Sequence, residues 1–207
     1  MVQLSPDNGL PGWDRISGYY YPDSTIAGFS HTHLSGTGAG DLYDISYMPV
    51  TLPYREAEAP LGIHSKFRHS DEEASAGYYR VLLKDYNINV ELTATERCGI
   101  QRYTFPKAQS AVFLNLKKAM NWDFTQDSHI EVVDSCTIQG YRFSDGWARG
   151  QRVFFRTRFS NPFRSSEIDT TAIIQDGKTI GTAYVARFNF DTTDGEEIVL
   201  CTALSGV

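Results

Sequence analysis

The chain has 207 residues, of which 41% are hydrophobic and 21% are charged, and its formal net charge at pH 7 is −6. This balance excludes a disordered tail, and no run approaches the roughly 18 uninterrupted apolar residues that a membrane helix needs. Nucleic-acid binding is also disfavoured, because no cluster of Lys and Arg supplies the concentrated basic face that phosphates require. The length fits a single domain.

The first 60 residues differ from the rest of the chain. From Pro6 to Pro60 the sequence is rich in Gly, Pro, Ser, Thr and Asp and contains few apolar runs. A long irregular segment in a compact domain is usually functional or anchored on another surface. We therefore expect a long irregular N-terminal segment, followed by a more regular body.

Trp13 and Asp14 lie in a Pro/Gly-rich loop of this segment, and two interpretations are open. Trp13 either plugs one end of the core or offers a flat apolar face to a sugar ring, with Asp14 accepting hydrogen bonds from sugar hydroxyls. Composition alone favours the plug.

The densest polar string of the chain follows at residues 30–38. If this string is extended, His31 and His33 point to one face, where Asp41 or Asp44 would complete a metal site. The alternative is a hydrogen-bonded loop that packs against another surface. The alternative is favoured because the sequence specifies no third ligand.

Strand patterns dominate the remainder of the chain. Apolar residues occupy every second position in 88–95 and again in 153–159 and 188–190, which is typical of half-buried strands. The more continuous apolar runs at 110–116 and 198–204 indicate strands that are buried more deeply.

Turn signals separate these runs at short intervals. Asp176-Gly177, between two apolar runs, predicts a hairpin, and Asp145-Gly146 and Asp194-Gly195 mark further turns. Many short strands with regular turns predict an all-β fold, an antiparallel β-sandwich. No internal repeat or linker is visible, so a single domain over 1–207 is the simplest organisation.

Neither the cysteines nor the carboxylates mark a site by themselves. Cys98, Cys136 and Cys201 are odd in number and lack CxxC spacing, which favours three small buried residues over a zinc site and permits at most one disulfide. Nothing in the sequence shows two carboxylates facing one cavity as an acid–base pair. The candidate groups are Asp41 with Asp44, Asp71 with Glu72 and Glu73, and Asp191 with Asp194.

An ordered set of strings nevertheless resembles a known family. The N-terminal strings are 1–7 (Met-Val-Gln-Leu-Ser-Pro-Asp), 12–14 (Gly-Trp-Asp), 17–19 (Ser-Gly-Tyr) and 28–38 (Gly-Phe-Ser-His-Thr-His-Leu-Ser-Gly-Thr-Gly). Further strings follow in the same order at 69–79, 90–95, 102–106, 140–142, 146–148 and 159–163. Together they resemble the amino-terminal domain of glycoside hydrolase family 92, the exo-acting α-mannosidases, over nearly the whole chain.

The resemblance implies a supersandwich-like domain that packs on a larger helical (α/α)₆ domain. It implies a calcium-dependent α-mannosidase that inverts anomeric configuration and acts on mannose-containing glycans, with a place in N-glycan degradation. The general acid, the general base and most calcium ligands are expected in the helical domain. This chain then looks like a domain excised from a longer periplasmic or extracellular protein, without its upstream segment and helical domain, and inactive alone.

The same resemblance implies roles for individual residues. Trp13 is expected to stack near the leaving-group sugar, with Asp14 beside it, which reverses the plug interpretation. The loop that includes His31, His33, Ser35 and Gly36 is expected at the domain interface or the pocket. No metal ligand is assigned to this chain, because calcium prefers oxygen ligands over imidazole.

Two other functions remain open. The chain would act as a stand-alone carbohydrate-binding module if its exposed aromatics bound glycans without chemistry, or as an assembly module if it only docked a partner domain. An excised domain should also expose a contiguous apolar or aromatic patch near residues 12–40, and we expect self-association that covers this patch.

Overall fold

The computed structural model describes residues 1–35, 40–57, 62–119 and 122–206, which are almost entirely β. Helix within these ranges is confined to two short 3₁₀ turns, Trp13–Arg15 and His69–Asp71. Across the part of the chain described, no helix has the length and hydropathy needed to cross a membrane. The prediction of an all-β antiparallel sandwich is confirmed.

Sixteen strands form in the described residues. In chain order they are β1 (Ser5–Asp7), β2 (Thr25–Ile26), β3 (Gly28–Ser30), β4 (Ser46–Thr51), β5 (Ser65–Lys66), β6 (Glu72–Ser75), β7 (Tyr78–Leu83), β8 (Ile88–Ala94), β9 (Cys98–Phe105), β10 (Ala108–Asn115), β11 (Phe124–Asp134), β12 (Thr137–Asp145), β13 (Gln151–Phe159), β14 (Ser165–Gln175), β15 (Lys178–Thr192) and β16 (Glu196–Gly206).

The strands form two large antiparallel sheets and one small one. The six-stranded sheet has the order β1-β3-β4-β10-β15-β14, and the eight-stranded sheet has the order β11-β12-β13-β16-β9-β8-β7-β6. Strands β2 and β5 pair separately as a two-residue ribbon.

The core lies between the two large sheets. The Tyr47 hydroxyl on β4 shares a 2.6 Å hydrogen bond with Oγ1 of Thr157 on β13, which ties one sheet to the other. The Phe159 ring on β13 lies 5.4 Å from the Phe188 ring on β15. Burying such aromatic and aliphatic side chains between two faces is the main force that holds a sandwich together.

Several details of the strand prediction are also confirmed. Ile88, Val90 and Leu92 alternate with more exposed neighbours in β8 and are buried in the core. Asp176 and Gly177 form a two-residue hairpin loop with φ values of 50° and 73°, as a type I′ turn requires.

Two expectations are wrong. Residues 46–51, placed in the irregular segment, form strand β4 near the middle of the six-stranded sheet, although Pro49 has no N–H to give to the ladder. The cysteines are free, and they are not all buried: Cys98 and Cys136 are partly exposed and Cys201 is exposed on the surface of the eight-stranded sheet.

Candidate functional site

All three tryptophans of the chain meet on one exposed surface. Trp13 is 57% exposed, Trp122 is 50% exposed and Trp147 is 75% exposed. The Trp122 ring lies between the other two, with its centroid 6.3 Å from Trp13 and 6.4 Å from Trp147. We call these three residues the tryptophan surface. It lies where β11 begins and β12 ends, which is one end of the eight-stranded sheet.

The first side of this surface is fixed by the 3₁₀ turn that carries Trp13. Arg15 in the same turn donates two hydrogen bonds of 2.6 Å to the carboxylate of Asp23. The carbonyl oxygen of Arg15 accepts a 2.7 Å hydrogen bond from the hydroxyl of Tyr43, and Ile16 just after the turn is fully buried. Trp13 is therefore an exposed residue on an anchored turn, and the plug interpretation is wrong.

The other side is fixed by Asp41. Its two carboxylate oxygens accept hydrogen bonds from the backbone N–H groups of Trp147, at 2.6 Å, and Ala148, at 2.8 Å. Gly146 permits this contact, because a Cβ there would lie 2.1 Å from Oδ1 of Asp41. The backbone N–H of Trp122 donates to the carbonyl of Gly40 at 3.2 Å. Residues 40–41 thus bind the loop that carries Trp122 and the loop that carries Trp147.

A buried ion cluster lies under the tryptophan surface. The guanidinium of Arg142, which is completely buried, donates to Asp44 at 2.6 Å and to Asp123. Asp44 also accepts a 2.6 Å hydrogen bond from Thr32, and Asp123 accepts one of 3.0 Å from Ser144. Two carboxylates around one cation leave the cluster with a net negative charge.

The pKa values in this cluster follow from burial and pairing. Burial raises the pKa of Asp123 above its usual value, because it outweighs the nearby Arg142 charge. For Arg142 the balance is reversed: burial lowers the pKa, but the two carboxylates outweigh burial, so the net pKa is raised. Arg142 is therefore a permanent cation that joins loop 40–44 to strand β12.

His33 belongs to a second buried network, centred on Asp7. Its Nδ1 donates to the carbonyl of Gln3 at 2.7 Å, and its Nε2 lies 2.8 Å from Oδ1 of Asp7 and 2.9 Å from the hydroxyl of Ser30. Burial alone raises the pKa of Asp7, but Lys118 and His33 outweigh it and lower the pKa. Asp7 is therefore ionised, and this network anchors the start of the chain.

His31 is fully buried and makes one hydrogen bond. Its Nδ1 donates to the carbonyl of Ile45 at 2.7 Å, and its Nε2 has no partner among the described residues. Burial lowers the pKa of His31 to about 4, so the ring is neutral near pH 7. The ring lies over Gly99, where a Cβ would come within 2.5 Å of it.

The remaining predicted site residues differ in exposure. Asp14 is exposed beside Trp13, and Ser35 is exposed, whereas His31 and His33 are buried and contribute by holding the loop. Gly36 lies outside the described residues. The interface or pocket role of this loop stays a prediction.

Two of the three tryptophans and the ion cluster are not among the predicted site residues. Trp147 follows an Asp-Gly turn signal and Trp122 lies between two polar residues, and a large aromatic residue in a loop is a signal for a binding surface. Arg142 lies in string 140–142 of the family resemblance, but its pairing with Asp44 has no local signal, because Asp44 is 98 positions away in the chain.

The described residues do not offer a metal site. No group of three or more His, Cys, Asp or Glu side chains within them is arranged to hold an ion. Asp41, Asp44 and Asp123 already bind backbone N–H groups or Arg142. Calcium needs six to eight oxygen ligands, so these residues do not fit it.

The fold and this surface define a large antiparallel β-sandwich that presents anchored aromatic side chains at one end. The family described as "Glycosyl hydrolase family 92 N-terminal domain" matches residues 1–205. The chain therefore belongs to this family of N-terminal domains, which confirms the resemblance.

Solved structures agree with this assignment. The α-mannosidase BT3965 of family 92 from Bacteroides thetaiotaomicron is 32% identical, with a TM-score of 0.88, over 100% of this chain and 30% of its own chain. Its complex with mannoimidazole is 31% identical, with a TM-score of 0.88, over 100% of this chain and 29% of its own. The chain thus spans less than a third of the mannosidases it matches.

A more distant structure shares the fold. The inverting mannosidase BT2199 from Bacteroides thetaiotaomicron VPI-5482 is 23% identical, with a TM-score of 0.77, over 100% of this chain and 27% of its own. A comparison with curated protein sequences gave no significant match.

Proposed function

We propose that this domain forms part of a calcium-dependent, inverting exo-α-mannosidase, packs on a helical catalytic domain and closes one side of the sugar pocket. The observation that carries the proposal is the tryptophan surface. Family membership and the 30% coverage of BT3965 support a partner domain, since the mannosidase activity of that relative belongs to a much longer chain.

The chemistry of the tryptophan surface suits both a sugar and a domain interface. Indole rings bury large apolar areas and keep one polar N–H, which is why tryptophan is favoured where apolar contact and hydrogen bonding coincide. Three adjacent exposed indoles form an unusually apolar surface for a soluble domain, and such surfaces mark binding sites. We assign Trp13 to the sugar and the exposed carboxylate of Asp14 to sugar hydroxyls.

The catalytic groups and the calcium ion are assigned to the partner domain. An inverting glycosidase needs one carboxylic acid and one carboxylate with a water between them. The best-placed carboxylates near the tryptophan surface, Asp41, Asp44 and Asp123, serve other contacts. This domain would position the sugar and exclude water, and alone it would be inactive. By the same family argument, we place the intact enzyme in the periplasm or outside the cell, acting on mannose-containing glycans.

The test is mannosidase activity of a chain that joins this domain to a family 92 helical domain. Trp13→Ala should lower kcat/KM about tenfold, which corresponds to the ~1.4 kcal/mol expected for a lost aromatic contact. Tyr21→Ala is the matched control, because Tyr21 is a comparably exposed aromatic that stacks on His69 instead. Unchanged activity in Trp13→Ala would contradict the pocket role. Activity that persists after chelation would contradict calcium dependence.

The exposed tryptophans also favour a second candidate, a stand-alone carbohydrate-binding module. Titration calorimetry of this chain with mannosides separates the two functions. A complete module binds them without a partner domain, whereas half of a pocket binds them poorly. Strong binding that Trp13→Ala abolishes would favour the module.

A further inference from the structure

The six-stranded sheet ends in one long open edge, strand β14. Three of the four edge strands of the large sheets are short, partly covered or charged: β1 has three residues, β6 has four and begins with two glutamates, and β11 bonds to β15 through Ser128 and carries Glu131 and Asp134 in its exposed second half. Strand β14 has eleven residues and pairs within the described residues only with β15. Its outer N–H and C=O groups therefore face solvent.

The second half of β14 lacks the features that usually protect an edge. Residues 170–174 (Thr-Thr-Ala-Ile-Ile) include no charged residue and no proline, and four of the five are β-branched. Ile174 is 67% exposed, and Ile168 on the same face is 39% exposed. Natural sheets normally interrupt such edges with charges, proline or bulges, because open edges pair with other chains.

The free side of β14 is also geometrically regular. The register shift in the β14–β15 hairpin places two residues of β15, Thr179 and Gly181, opposite the consecutive Ile174 and Ile173. The extra residue, Ile180, is thus on β15, and β14 itself is unbroken. An unbroken strand can accept a further antiparallel strand along its whole uncharged run.

We propose that β14 is the docking edge for a second copy of this chain, paired antiparallel about a two-fold axis at Ala172. This register places Thr170 opposite Ile174 and Thr171 opposite Ile173 of the other copy. The two six-stranded sheets would then become one continuous sheet across the dimer. None of the three tryptophans lies on β14.

Charge placement favours a second copy as the occupant. The acidic residues of β14, Glu167 and Asp169, both precede the two-fold centre. Pairing about Ala172 sets Asp169 opposite Gln175 and keeps the two copies of Asp169 about 20 Å apart, six residues at ~3.4 Å each. Asp176, in the turn after β14, falls opposite Ile168, so no like charges are directly opposite in this register, which is the condition that a self-pairing strand must meet.

Sedimentation velocity over a range of concentrations tests the proposal. The unmodified chain should show a reversible monomer–dimer equilibrium. Ala172→Lys and Ala172→Glu each place like charges face to face at the axis, and each should raise the dimer Kd about fivefold or more. An equal mixture of the two variants should restore dimers, because Lys then faces Glu. That rescue also shows that both variants are folded.

Two controls define the outcomes. Ala203→Lys makes the same change at an exposed alanine on β16, an inner strand of the other sheet, and should leave the dimer unchanged. Trp147→Ala should also leave it unchanged. A chain that stays monomeric at all concentrations overturns the proposal, as does a dimer that tolerates both Ala172 variants or is lost in Trp147→Ala.

Discussion

At the scale of single residues, Arg142 shows how a buried charge can organise a surface. Its guanidinium joins Asp44, in the N-terminal segment, to Asp123, just before β11. Removing charges from water costs several kcal/mol per ion, and geometry as tight as this is needed to recover that cost. The cluster therefore adds more to the positioning of the loops under the tryptophan surface than to net stability.

Replacement of Arg142 should be severe. Arg142→Met keeps a long unbranched side chain but leaves Asp44 and Asp123 buried without a cation, which should lower the free energy of unfolding by about 3–5 kcal/mol. Arg102→Met is the matched control, since Arg102 also makes two 2.7 Å contacts to a carboxylate, that of Glu91, but at the surface. It should cost less than about 1 kcal/mol. Equal losses in urea unfolding would contradict this account.

His31 predicts a pH dependence of stability. Its pKa is about 4 in the folded chain, below the ordinary value of 6.5, so between these values the unfolded chain binds a proton that the folded chain does not. The free energy of unfolding should therefore fall as pH is lowered from 6.5 to 4, by about 3 kcal/mol from this group. Asp7 acts at lower pH than His31. Because the pKa of Asp7 is lowered from 3.8 in the folded chain, its stabilising contribution is lost only as the pH falls below that value.

Asparagine substitutions isolate the contribution of His31. Urea unfolding at several pH values should show a flatter profile for His31→Asn, in which the amide can still donate to Ile45 but cannot titrate. His64→Asn is the control, because His64 also faces a carbonyl through Nδ1, that of Gly62 at 2.9 Å, but is only half-buried. If His31→Asn and the unmodified chain have parallel profiles, burial does not depress this pKa.

At the scale of elements, the turn after β12 presents Trp147 only because residue 146 lacks a side chain. Gly146→Ala would force its Cβ against Asp41 and within 2.9 Å of the Asp123 backbone. We expect a loss of about 1–3 kcal/mol, together with a changed near-ultraviolet circular dichroism signal from the coupled indoles. Gly206→Ala, where the nearest atom would lie 3.7 Å away, should change neither. An unaltered tryptophan signal in Gly146→Ala would show that Asp41 does not position this turn.

The same scale shows where sequence reasoning works. Alternation located β8, and the Asp176-Gly177 pair located the β14–β15 hairpin, because each of these signals is local. Strand β4 lies in the segment whose Gly, Pro, Ser, Thr and Asp content indicates irregular structure, and pairing with β10 overrides that local preference even though Pro49 has no N–H for the ladder. The tryptophan surface combines loops more than 100 residues apart, so only Trp13, which the family resemblance singled out, could be predicted.

At the scale of the whole molecule, the tryptophans provide a spectroscopic probe of one surface. The chain contains three tryptophans, and all three belong to the tryptophan surface. Fluorotryptophan labelling of this chain therefore gives fluorine resonances that describe this surface and nothing else. In the isolated chain, all three resonances should broaden with a soluble paramagnetic agent, since each indole is at least half exposed.

Addition of an unlabelled family 92 helical domain should protect these resonances, because the proposed packing buries the apolar indoles. A mannoside added to that complex should then shift the resonance of Trp13. This resonance is identified as the one that is missing from the spectrum of the Trp13→Phe variant. The Ala172→Lys variant should behave identically, since no tryptophan lies on β14. If the helical domain binds but all three resonances stay accessible, this end of the sandwich does not face the catalytic domain. The sugar contact assigned to Trp13 would then be wrong as well.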